Sequence, residues 1–188
     1  MTCTKAEFDK RVAEHQLEIL RDDGLYRHLR FRKPNTGRDG FDLVTWPGFL
    51  AYCGDMGDYM FQRTPDMLAF FRGGHDREPP FGYWAEKCVA HDRNGVKEYS
   101  PDRAREAIAE WLDDREATPS LRKDVEDEIL TVLDDGEDSL RRVIGSFEHQ
   151  GWSFQDFWEV DLTVCTFRFR FCCYALQWGV AKYDQQHT

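Results

Sequence analysis

Apolar side chains recur at near-helical spacing at the start of the chain, with Phe8, Val12, Ile19 and Leu20 between residues 4 and 22, and Gly24 follows as a stop. That pattern predicts an amphipathic N-terminal helix over 4–22. From residue 25 the period changes to two: Leu29 and Phe31 fall on one side, His28, Arg30 and Arg32 on the other, and Pro34 ends the strand. Arg27 falls on the side of Leu29 and Phe31, so the cations of this stretch do not form one patch. A meander is expected next. Residues 41–46 read as a strand, Pro47-Gly48 as a turn, 49–53 as the return, Asp55-Met56-Gly57-Asp58 as a second turn, and 59–63 as a strand pairing back. Thr64-Pro65-Asp66 reads as a helix cap with proline at the first helical position, opening a short helix through Met67, Leu68, Phe70 and Phe71. A second hairpin is expected around Asn94-Gly95, a dipeptide suited to positive φ at both central positions. These elements give five or six antiparallel strands in the first hundred residues.

The second half changes character. Ser100-Pro101-Asp102 and Thr118-Pro119 each present a capping hydroxyl and then proline. Behind them Ala104, Ala107, Ile108, Trp111 and Leu112, then Leu121, Val125, Ile129, Val132 and Leu133, keep helical spacing. A third helix is expected through Leu140, Val143, Ile144 and Phe147, and a helical turn or two over 153–160. Residues 163–171 read both ways, because Phe167, Phe169 and Phe171 alternate while Phe167, Phe171, Tyr174 and Trp178 sit at helical spacing; the length of the segment favours a buried helix. The expected fold is α+β, with helices packed on an antiparallel sheet. No repeat or linker divides the chain. One domain over 1–188 is expected, mainly sheet with an N-terminal helix over 1–100 and mainly helical over 101–188.

Charge sharpens this picture. The chain carries a formal −10, with 35 acidic and 25 basic side chains, which disfavours general affinity for phosphate backbones. Between residues 97 and 150 sixteen carboxylates face eight Lys and Arg, so the expected run of helices holds most of the excess. No run of about 18 apolar residues occurs, and the first ten residues lack the layout of a secretory leader. The expectation is a soluble cytoplasmic protein whose six cysteines are reduced thiols.

The stretches "LRFRKP", "FDLVTWPGFLAYCGDMGDYMFQR", "YWAEKCVA" and "FCCYALQWGVAKYD" together resemble a group of small accessory proteins encoded by bacteriophages and prophages. The Trp-Pro-Gly turn followed by Gly-Asp is the most specific part of the likeness. What the resemblance implies is a setting, a phage gene product acting inside a bacterial host, where acidic proteins of this size often inhibit host defence, anti-CRISPR proteins among them. It carries no catalytic residue over to this chain.

The chain holds only fragments of catalytic patterns. Cys88 and His91 have a metal-compatible gap, with His75 upstream, but no second pair completes a zinc set. His75-Asp76 and His91-Asp92 supply only fragments of a phosphohydrolase pattern. Glu86 is followed directly by Lys87, which misses the Glu-x-Lys spacing of a metal-dependent nuclease. Phosphate loops, dinucleotide fingerprints, nucleophile elbows and zinc-deaminase ligands do not occur. Asp55 and Asp58 read as turn residues, and Tyr174 and Trp178 as core. No cofactor and no metal are expected.

Two candidate surfaces remain. The first is a partner-binding surface on the acidic helices, Asp113, Asp114, Asp124, Asp127, Asp134, Asp135, Glu137 and Asp138, whose carboxylates would imitate phosphates towards a nucleic-acid-binding host protein complex. The second is the basic strand face of His28, Arg30, Arg32 and Lys33, suited to direct contact with nucleic acid unless carboxylates such as Asp42, Asp55 or Asp58 neutralise it. The favoured expectation is a non-enzymatic protein that obstructs such a complex. An enzyme whose site assembles only in three dimensions is a third reading, marked by a pocket with convergent His, Asp or Cys side chains.

Overall fold

The computed structural model describes residues 2–73 and 77–187. Its fold is α+β. The backbone clusters into two compact units, one made of the residues up to Val96 and from Cys165 onward, the other Lys97–Val164. The sequence had suggested one domain; each unit has its own hydrophobic cluster.

The first unit is built on a six-stranded antiparallel meander in sequential order, β1 (Gln16–Asp23), β2 (Tyr26–Arg32), β3 (Phe41–Trp46), β4 (Phe49–Gly54), β5 (Gly57–Gln62) and β6 (Cys88–His91). Its register places Leu29, Leu43 and Tyr52 in line, with Phe31 beside Phe41. These residues are buried on one face. Across that face lies α7 (Phe167–Gln186), opened by the Thr166 hydroxyl accepting from the Phe169 amide and buried almost all round, from Phe169 to Tyr183. Gly179 is where helix and sheet come closest: a Cβ there would lie 3.0 Å from Leu43 Cδ1 and 3.2 Å from Phe31 Cζ. The helix expected over 4–22 is shorter. Helix α1 (Lys5–Val12) stops at Val12, and β1 follows because Leu17 and Ile19 pair across to Phe31 and Leu29. Sheet pairing outweighs helical spacing there.

Two further local expectations change. Asp66, not Thr64, caps α2 (Met67–Phe71), its carboxylate accepting from the amides of Leu68 and Ala69. The hairpin expected around Asn94-Gly95 does not form. Residues before it make α3 (Phe81–Lys87), β6 pairs with β5, and β7 (Lys97–Tyr99) pairs instead with β8 (Thr163–Cys165). Only Gly95 of that dipeptide has positive φ, at 70°.

The second unit is helical. Ser100 and Thr118 cap α4 (Pro101–Asp114) and α5 (Pro119–Glu128), each with proline in the first turn, as expected. A 3-10 turn over Leu130–Asp135 leads to α6 (Glu137–Ser146). A second turn, Phe157–Glu159, precedes β8. Its core is aromatic: Trp111 stacks on Phe154 at 4.7 Å, and Trp152 meets both edge-on. Residues 163–171 are thus strand, then helix, with Thr166 as the hinge.

Candidate interaction surfaces

The division into units concentrates the charge. Residues 97–164 contain nineteen of the 35 carboxylates but eight of the 25 Lys and Arg, leaving sixteen and seventeen for the rest of the chain. The second unit therefore carries −11 and the first +1.

Within the second unit the eight candidate carboxylates divide in two. Asp113 accepts from Arg122 at 2.6 Å, Asp127 pairs with Lys123 one helical turn away, Asp124 hydrogen-bonds His149 at 2.6 Å, and Glu137 accepts from Arg141. These four are paired within the unit. Asp114, Asp134, Asp135 and Asp138 are exposed, and no cation of the described residues pairs with them. Asp138 lies in the first turn of α6, where the helix dipole favours a negative group. The carboxylates of Glu137 and Asp134 lie close enough to Tyr99 to add to the effect of its burial, raising the phenol above its usual range. Asp161 is held at the other extreme, at about 2, by hydrogen bonds from Lys97 and Thr163. Salt bridges of such exposed pairs contribute little stability, about 0–1 kcal/mol each.

Arg141 does more than pair with Glu137. Its guanidinium donates to the carbonyls of Phe157 and Trp158, both at 3.2 Å, and of Val160 at 3.0 Å. It thereby pins the 157–159 turn to α6. Asp156 enters that turn with φ of 60°, Phe157 is buried, and Trp158 stands 71% exposed. The turn falls within the residues 153–160 where a helical turn or two is expected, but periodicity gave no sign that Trp158 is exposed, because one turn cannot establish a period. The adjacent aromatics Phe157 and Trp158 were the available signal, since two neighbours in a tight turn cannot both face inward.

The basic strand face is largely neutralised. Asp42 on β3 sits directly opposite Arg30. Its carboxylate lies 2.7 Å from His28 Nε2 and accepts from Arg30 at 3.1 Å and from Arg32 at 3.4 Å. Burial pushes the Asp42 carboxyl up, but the Arg30 and His28 hydrogen bonds outweigh it and hold it below the usual carboxylate range. Lys33 is taken by Glu14. Arg27, on the opposite face as alternation predicts, donates two hydrogen bonds to Asp66 and lies over the Tyr183 ring. Asp55 has a different task, accepting from the Asp39 amide.

A polar cavity of about 590 Å³ lies beside α1 and the loop between β2 and β3, lined by Arg11, His15, Lys33 and Asp39 among others. His15 is buried and meets the Asp39 carbonyl at 3.1 Å, while the Asp39 carboxylate takes Arg11. Burial lowers the His15 pKa, outweighing Asp39. The ring is therefore oriented by main chain at Nε2, and its Nδ1 meets no hydrogen-bond partner among the described residues. Cys88 and His91 are engaged locally, with Ala90 and Asp92 carbonyls; His75 and Asp76 lie outside the described residues. Among the described residues no three His, Cys, Asp or Glu side chains are placed to hold a metal ion, and no helix is long and apolar enough to cross a membrane. Comparison with protein-family models, curated proteins and solved structures gave no match.

Proposed function

We propose that this protein is a non-enzymatic binding protein that engages a basic, nucleic-acid-handling protein complex through the carboxylates of residues 97–164. The observation that carries this reading is the segregation of charge: the helical unit holds −11, and Asp114, Asp134, Asp135 and Asp138 are exposed without internal cations. Free carboxylates on folded helices are fixed negative charges. They steer a positively charged groove into encounter and fill it as phosphates do. The resemblance to phage and prophage accessory proteins supports a bacterial host as the setting and a defence complex as the obstructed target. Direct nucleic-acid binding by the β2 face is the weaker reading, since Asp42 occupies the centre of its cations.

The test is affinity purification from a phage-susceptible bacterial lysate with wild-type protein and with the variant carrying Asp114→Lys, Asp134→Lys, Asp135→Lys and Asp138→Lys. A nucleic-acid-binding complex recovered by the wild type, released by salt and lost in the variant is the expected result. Equal recovery by both proteins would sink the proposal.

A further inference from the structure

Trp158 is the most exposed of the large apolar side chains among the described residues, at 71%. A single exposed apolar residue is ordinary on protein surfaces. Its mounting is not. Three carbonyls of its own turn, those of Phe157, Trp158 and Val160, accept from Arg141, which Glu137 in turn holds. The buried Phe157 ring anchors the turn from below, packed edge-on against Phe154 at 5.3 Å. The indole is thus presented on a backbone with little freedom left to lose on binding, which is the property that makes tryptophan an effective contact residue. Asp156 and Glu159 flank it in sequence, both exposed, and Asp138 lies in the first turn of the helix that supplies Arg141.

An exposed ring with the carboxylates Asp156 and Glu159 beside it in the chain has the chemistry of an unstacked base between phosphates. Proteins that take single-stranded nucleic acid combine a cationic groove with planar groups that stack on bases, and arginine guanidinium serves as such a plane. Resting on the acidic-partner reading above, we propose that Trp158 is the aromatic anchor of this surface, stacking on an arginine of the basic partner protein where that partner would otherwise hold a base. The anchor gives selectivity for arginine over lysine, which the carboxylates alone supply less well, because lysine is a point charge without a stacking plane.

Two purified probes test this, a nona-arginine and a nona-lysine peptide, titrated at about 50 mM salt, where electrostatic association is strongest. The wild type should bind nona-arginine about fivefold more tightly than nona-lysine, the size of one or two exposed cation–π contacts. Trp158→Ala should lose that preference while keeping its affinity for nona-lysine, and Trp158→Phe should restore part of it. Because the indole is exposed, both variants should keep the wild-type circular dichroism. A preference unchanged in Trp158→Ala overturns the assignment of Trp158 and leaves the acidic reading standing, provided the Asp114, Asp134, Asp135 and Asp138 lysine variant loses both peptides. If the wild type binds neither peptide, the acidic reading itself fails, and this inference with it.

Discussion

Asp42 decides the character of the basic strand. With a side chain only 13% exposed, two arginine neighbours and the His28 ring, it makes the β2 face a hydrogen-bonded cluster closed on its own carboxylate. Removing its charge should have two effects. Asp42→Asn should cost about 1–2 kcal/mol of stability at pH 7 by urea unfolding, because hydrogen bonds to an ionised group are weakened and two arginines lose their partner. Its folded-state carboxyl lies below the unfolded value, so this contribution is present above about pH 4 and fades as the pH falls through the folded value; wild type and variant should converge in acid. The same substitution should create salt-dependent oligonucleotide binding at about 50 mM salt, measured by filter retention. His15 titrates with the same sense. Its folded pKa is depressed, so the stability it contributes is full above about pH 6.5 and is lost as the pH falls through the folded value; an NMR titration of the ring should place its midpoint below that of a free histidine. Of the carboxylates offered as neutralising the strand, Asp42 takes that role and Asp55 accepts from the Asp39 amide instead, whereas alternation alone separated Arg27 from Arg30 and Arg32. It could not separate Asp113 from Asp114. Which of two adjacent carboxylates meets an arginine depends on where α5 packs, and the local sequence does not encode that.

At the level of elements, strong local signals were legible and remote pairings were not. The caps of α4 and α5 could be read because each rests on contacts within a few residues, the strands β2 to β5 because consecutive strands pair, and the buried C-terminal helix from its length and apolar character. Segment 4–22 was misread because Leu17 and Ile19 satisfy either period, and the partner strand that settles the matter begins only at Tyr26. Residues 88–99 failed for the same reason: β7 finds its partner at Thr163, more than sixty residues on. Close backbone approach gives a sharp test of the meander. At Gly54 a Cβ would come 2.6 Å from the Gly40 carbonyl and 2.8 Å from Phe41 Cβ, neither of which can swing aside. Gly54→Ala should therefore cost at least about 2 kcal/mol, read as a lowered urea midpoint, whereas Gly82→Ala, on α3 with open space around it, should be near neutral. The thiols give a second test. Cys172 and Cys173 are buried in α7 and burial raises both far above the ordinary thiol range, while Cys53 is exposed on β4. A thiol reagent should modify Cys53 in the folded protein and reach Cys172 and Cys173 only on unfolding.

For the whole molecule, the acidic stretch and its start near residue 97 could be recognised from composition, but not that Lys97 and Val164 bound a separate compact unit, since no linker marks either. These boundaries become visible through hydrogen bonds. The Thr166 amide donates to the Val96 carbonyl at 3.0 Å, so the chain leaves and re-enters the sheet unit at one point, and within the helical unit the Ser100 amide donates to the Leu162 carbonyl. Joining Val96 to Cys165 through two or three glycines should accordingly leave the sheet unit folded, with the tryptophan fluorescence of a buried Trp84 and a cooperative urea transition; a chain that fails to fold would show that the sheet depends on the excised residues.

That single point of exit and return also bears on how such a sequence can change over time. The buried residues between 97 and 164 answer to the packing of the helical cluster around Trp111. The residues facing α7 answer instead to the packing of Phe31, Phe41 and Leu43. Residues 97–164 are therefore a single insert of sixty-eight residues, and their gain or loss would fall at one place in the chain of the sheet unit.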